Sequence, residues 1–123
     1  MLVEDDDDCR EGVQELLRAE DIDVAAVASS DEAIAALGKM RPALLLVDLR
    51  LREGDGRAVI QHVRATPALA DLPVYVMSGA VSEAASFKAD GPHRIDGFFE
   101  KPLNLPRVLA SIRSAIQAEK KQP

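Results

Sequence analysis

The 123-residue sequence predicts an α/β domain built on a mainly parallel, five-stranded sheet. Three observations carry that prediction. Short apolar runs alternate with amphipathic helical stretches along the whole chain. Two runs, ALLLVD at Ala43 to Asp48 and VYVMS at Val74 to Ser78, have the near-continuous apolar character of parallel strands covered on both faces. The polar residues able to do chemistry stand where strands stop.

Met1 to Val3 is a stub of strand that runs into five acids, Glu4 to Asp8. It has almost no lead-in, as in a domain cut from a longer protein or one with a trimmed start. Cys9 to Glu20 carries Val13, Leu16 and Leu17 at helical spacing, and Asp23 to Ala28 reads as a second strand. The next helix spans Ser29 to Met40, with Ser29 and Glu32 as a capping box and Gly38 near its end. The third strand ends at Asp48. The loop LRLREGDG follows, its Gly54 and Gly56 permitting a tight turn, and a helix covers Arg57 to Ala65.

Val74 to Ser78 is the fourth strand. Ser82 to Ala89 is a weaker fourth helix, ended by Gly91 and Pro92, and Gly97 to Glu100 is the last strand. Asn104 caps a fifth helix whose apolar face is Leu105, Val108, Leu109, Ile112 and Ile116.

Composition narrows the function. Apolar residues make up 47% and charged residues 29%, which is ordinary for a globular chain and unlike a disordered one. A net charge of −6, with basic residues scattered, argues against a nucleic-acid-binding face. The single cysteine, Cys9, forms no internal disulfide and reads as a small, partly buried residue at a helix start. No signal peptide or membrane-length apolar run is visible, so the expected location is cytoplasmic. His62 and His93 lack metal-ligand spacing and are expected to face solvent.

The strand ends are Glu4 and Asp5, then Asp48, Ser78 and Lys101. If the strands take the doubly wound order 2-1-3-4-5, these residues converge at the carboxyl edge, where such sheets hold ligands. Carboxylates about 4 Å apart repel by roughly 4 kcal/mol per pair at an effective dielectric near 20. Lys101 balances one charge, and a hard divalent cation such as Mg²⁺ balances the excess. An ionised aspartate beside a metal, a hydroxyl donor and a lysine is arranged to accept a phosphoryl group. The remaining acids, Asp6, Asp7 and Asp8, favour the positive end of the first helix.

At this point the chain resembles the response-regulator receiver domain, the CheY-like superfamily with a flavodoxin-like fold. The resemblance rests on the acidic pair in LVEDD, the aspartate of LLLVDLRL with Gly56 eight residues on, the serine of VYVMSGA and the KP of FFEKPL, and it covers essentially residues 1–123. It implies that Asp48 is the phosphoacceptor. Glu4, Asp5, Asp48 and the backbone carbonyl of Arg50 would hold Mg²⁺ or Mn²⁺. Ser78 and Lys101 would grip the phosphoryl oxygens, Lys101–Pro102 would be a cis peptide, and Ser78 and Phe98 would form the switch. It further implies a histidine kinase or histidine phosphotransfer protein as donor, and a downstream effector protein or domain. Output would leave through the fourth helix, fifth strand and fifth helix, with a possible homodimer through that face. The family assists its own phosphorylation and autodephosphorylation without being an enzyme.

Several residues depart from the family pattern. Leu51 and Arg52 replace its usual Met-Pro, Gly79 its common Ala, and Phe98 its commoner Tyr. Arg50 and Arg52 put two cations near the phosphoryl position, where they would alter the attack of water. ADGPHRIDG is awkward for a fourth helix. Among rival functions, an aspartyl-phosphate phosphatase would want a general acid where Arg50 stands. A flavin-binding domain would want a Ser/Thr/Gly-rich loop where the acids stand. A receiver fold that is never phosphorylated and acts as an interaction module is the remaining alternative.

Overall fold

The computed structural model describes residues 1–87 and 91–120. Strands β1 (Leu2–Val3), β2 (Ala26–Val27), β3 (Leu45–Asp48), β4 (Val74–Ser78) and β5 (Gly97–Glu100) form one sheet in the order 2-1-3-4-5. Every pairing is parallel. Helices α1 (Asp7–Ala19), α2 (Ser30–Leu37), α3 (Gly56–Ala65) and α4 (Leu105–Lys120) complete a flavodoxin-like α/β domain.

The strands alternate their side chains between two cores. Val3, Leu45, Val47, Val74 and Val76 meet Ala33 and Leu37 of α2 and Val59, Ile60 and Val63 of α3. Leu2, Leu46 and Met77 meet Val13 and Leu17 of α1 and Val108 and Ile112 of α4. Period-two alternation therefore gives every central strand two buried faces, which is why those stretches read as unbroken apolar runs.

Helix starts follow local chemistry. Asp6, not Cys9, opens α1: its carboxylate accepts from the Cys9 N–H at 2.9 Å, with Asp7 and Asp8 in the first turn. Ser29 caps α2 by accepting from the Glu32 N–H at 3.2 Å, while the Glu32 carboxylate accepts from Ala28 N–H at 2.8 Å. Asn104 accepts from the Arg107 N–H at the start of α4.

Three further expectations are corrected. The second strand is two residues long rather than six, because its partner β1 offers only Leu2 and Val3 for pairing. Between β4 and β5 a 3-10 helix at Val81–Ser86 replaces the expected α-helix, whose last two residues, Lys88 and Ala89, lie outside the described residues. SEAAS carries no large apolar side chain to bury against the sheet, and short helices depend on such burial. His62 and His93 are half-buried rather than solvent-facing.

Candidate functional site

The strand order brings the carboxyl ends of β1, β3, β4 and β5 side by side, and the predicted residues meet there. Glu4 follows β1 and is completely buried, Asp48 ends β3 at 6% exposure, and Ser78 ends β4 at 1%. Lys101 follows β5. Its backbone N–H donates to the Ser78 carbonyl at 2.9 Å, extending the β4–β5 ladder by one bond, and the Lys101–Pro102 peptide is cis.

From that position the Lys101 ammonium donates to Asp48 Oδ2 at 2.9 Å and also to Glu4 Oε1. Asp5, half-buried, completes the cluster, and Glu4, Asp5 and Asp48 each offer a carboxylate oxygen within 4.8 Å of the others. The Arg50 N–H donates to Asp48 Oδ1 at 3.0 Å, and the Arg52 N–H donates to Asp5 Oδ2 at 2.7 Å. Behind Asp48 the chain is tightly packed. A Cβ at Gly56 would lie 2.2 Å from the Asp48 carbonyl oxygen, so the start of α3 reaches the acceptor strand only because residue 56 has no side chain. Gly54 serves the same loop with φ +96°.

Charge at this edge is unbalanced. Burial, and after it the neighbouring Asp48 carboxyl, raise Glu4 above the ordinary glutamate range against the opposing pull of Lys101. Burial acting alone would lower the Lys101 ammonium. Its hydrogen bonds to Glu4 and Asp48 outweigh that and hold it above the ordinary lysine range. Cys9 sits beside Glu4, and burial together with that hydrogen-bonded neighbour pushes its thiol up to about 12. A thiol so placed is protonated at neutral pH and is a poor nucleophile.

The donor set suits a small hard cation: three carboxylates crowd together, all offering oxygen, with one half-buried ammonium between two of them and the exposed Arg52 guanidinium 3.5 Å from the third. Phe98 stands opposite Val76 in the ladder and packs, partly buried, against the α2–α3 core. Phe99 faces the other way and stacks on Tyr75 with ring centroids 5.6 Å apart. Gly79 leaves open space, since a Cβ there would meet no heavy atom within 4 Å.

One residue at this edge had no signal in the sequence. Glu83, in the 3-10 helix, accepts from Arg50 Nε and Nη2 at 3.0 and 2.8 Å and from the Ser78 hydroxyl at 3.4 Å. It follows Ser78 by five residues on a segment without apolar periodicity, so only the turn of the chain places it here.

Fold and site together define a doubly wound α/β domain with an acidic, lysine-bearing cluster at its switch point. The family model described as the response regulator receiver domain matches residues 1–113, and the chain belongs to that family. Among curated proteins it is 29% identical over 116 residues to the C4-dicarboxylate transport transcriptional regulatory protein DctD of Rhizobium meliloti, covering 93% of this chain and 24% of that protein. The chain thus spans about a quarter of that relative's length. Among solved structures it superposes on a sensor protein from Polaromonas sp. JS666 with a TM-score of 0.82 and 26% identity, covering 95% of this chain and 94% of that one. It shares its fold with the receiver domain of the sensor histidine kinase PA1611 from Pseudomonas aeruginosa PAO1, solved with a magnesium ion coordinated in the active site cleft. That match has a TM-score of 0.83, 20% identity and 94% coverage of each chain.

Proposed function

We propose that this receiver domain takes a phosphoryl group onto Asp48 from a phosphohistidine of a histidine kinase or phosphotransfer protein. The observation that carries the reading is the half-buried Lys101 ammonium shared by Glu4 and Asp48, with Asp5 at the same edge. An Asp48 carboxylate oxygen forms the new bond to phosphorus as the donor's P–N bond breaks, and the bonding pair leaves with the imidazole nitrogen. Lys101, already hydrogen-bonded to Asp48, neutralises charge on the transferred group. Ser78 supplies a hydroxyl donor from the neighbouring strand end.

Glu4, Asp5, Asp48 and the Arg50 backbone carbonyl would hold Mg²⁺ or Mn²⁺, which supplies further neutralisation of phosphoryl oxygens when bound. The added charge of about −1.5 to −2 then shifts a two-state equilibrium around Ser78 and Phe98. It leaves through the face made by the 3-10 segment, β5 and α4, toward an effector protein or domain. Cytoplasmic location follows from the reading, because the donors it requires are intracellular kinases. Among the described residues no helix is long and apolar enough to cross a membrane.

The test is incubation with acetyl phosphate, with and without Mg²⁺, followed by intact mass. A single phosphate adduct is expected with Mg²⁺, lost on chelation and in Asp48→Asn. An adduct that persists in Asp48→Asn would place the acceptor elsewhere.

A further inference from the structure

We propose that Glu83 is a resident anion which holds the phosphoryl-binding donors until a phosphoryl group displaces it. The inference rests on the phosphoacceptor reading and adds a competitor to it. Ser78 has one hydroxyl proton, and here that proton goes to Glu83 Oε1 at 3.4 Å, while the same oxygen atom of Ser78 accepts from the Ala80 N–H at 3.1 Å. Ser78 therefore reaches a phosphoryl oxygen only by releasing Glu83.

Arg50 is held by the same carboxylate. Its Nε and Nη2 both converge on Oε1, although its own backbone N–H sits on Asp48. Arg50 is an exposed, flexible side chain anchored at the acceptor, so exchanging Glu83 for a phosphoryl group needs rotamer changes and no backbone break. The other carboxylate oxygen of Glu83 lies 3.7 Å from Arg57 Nη1, at the start of α3. The Arg57 guanidinium in turn lies 5.1 Å from the centre of the Phe87 ring. Glu83 within the 3-10 segment and Phe87 just after it thus both reach Arg57 at the start of α3.

A phosphoryl group on Asp48 brings a second, stronger anion to donors that Glu83 already holds. The two anions repel, and the doubly charged one retains Ser78 and Arg50. Glu83 is expelled, and the segment from Gly79 to Phe87 loses its tether. This exchange makes a carboxylate the off-state partner of the switch serine in this chain.

The test compares wild type with Glu83→Gln, which removes the charge and keeps the size, and with Glu83→Ala as a second variant. Adduct formation from acetyl phosphate and Mg²⁺ is followed by intact mass, and amide hydrogen exchange is read across residues 79–87. Both variants should form the adduct about two- to five-fold faster, the range expected for losing a partly exposed ion pair. Their 79–87 amides should exchange faster before phosphorylation, and wild type should reach that level once phosphorylated. Adduct formation at the wild-type rate in both variants overturns the exchange while leaving Asp48 as acceptor. Absence of any adduct in wild type overturns the phosphoacceptor reading and the exchange together.

Discussion

Two cations, the buried Arg64 and the half-buried Lys101, sit at opposite ends of β4 and β5, and they are solvated in opposite ways. Arg64 lies at the amino ends, with its side chain 5% exposed. It donates to the carbonyls of Ala70, Leu72 and Arg94 and to the Asp96 carboxylate, which also accepts from the Val74 N–H. Burial lowers its guanidinium from the ordinary arginine range, yet mainly neutral oxygens surround it and little net charge remains. Lys101 lies at the carboxyl ends between two carboxylates, with a third, paired with the exposed Arg52 guanidinium, close by. Both cations satisfy hydrogen bonds. Only the second leaves an excess of negative charge, and that excess is what a divalent ion and a phosphoryl transfer can use. The first arrangement holds loops together, and the second holds a site ready.

Substitutions at the two ends should therefore separate stability from chemistry. The largest stability loss is expected for Arg64→Ala, which takes the shared donor from the Ala70, Leu72 and Arg94 carbonyls and should cost about 3 kcal/mol in urea unfolding. Below its melting temperature that variant should still accept phosphate at close to the wild-type rate. A slowed rate in the folded variant would mean that the amino-end clamp also shapes the site.

Lys101→Met should behave in reverse. It leaves Glu4 and Asp48 facing one another and should cost about 1–3 kcal/mol without divalent ions. Adduct formation should fall steeply, and millimolar Mg²⁺ should raise its melting temperature by more than it raises that of wild type. An equal Mg²⁺ effect in the two proteins would contradict the charge-excess account.

The smallest effect is expected for Glu4→Gln, and it should be stabilising. Because folding raises the Glu4 pKa, the folded state keeps a proton that the unfolded chain releases. Stability then falls as pH rises from the ordinary glutamate range through the raised value. Without divalent ions the variant should be more stable than wild type above the raised value and lack that part of the pH slope. Its Mg²⁺ affinity should drop, which titration calorimetry reads directly. Lower stability at pH 7 would show that ionised Glu4 helps the fold.

How far the sequence speaks differs from residue to residue. Glu4, Asp5, Asp48, Ser78 and Lys101 were all legible because each stands at or just past the end of a strand-like run, and in a parallel sheet every such terminus lies on one edge. Strand β2 was overestimated because DVAAVA has strand-like composition, whereas ladder length is limited by the two residues of β1. The fourth α-helix was overestimated because Ser82 to Ser86 holds no large apolar side chain, and Phe87, which packs on the core, follows the 3-10 turn. Arg64 and Glu83 were not found at all. Neither ends a strand or belongs to a spaced motif, and their partners lie at sequence separations set only by folding, such as 30 residues from Arg64 to Arg94 and 33 from Arg50 to Glu83.

By itself the sequence determined the alternation of elements, the two-faced burial of the central strands and the acids, alcohol and amine at the strand ends. These are local properties, written in side-chain period and in the residue that stops each run. The tertiary structure decided which charges share a proton donor. It placed one ammonium between Glu4 and Asp48, gave Arg64 carbonyls in place of acids, and laid the Glu83 carboxylate over Ser78 and Arg50. Electrostatic energy depends on distances across the fold and on burial, and neither is a property of neighbours in the chain.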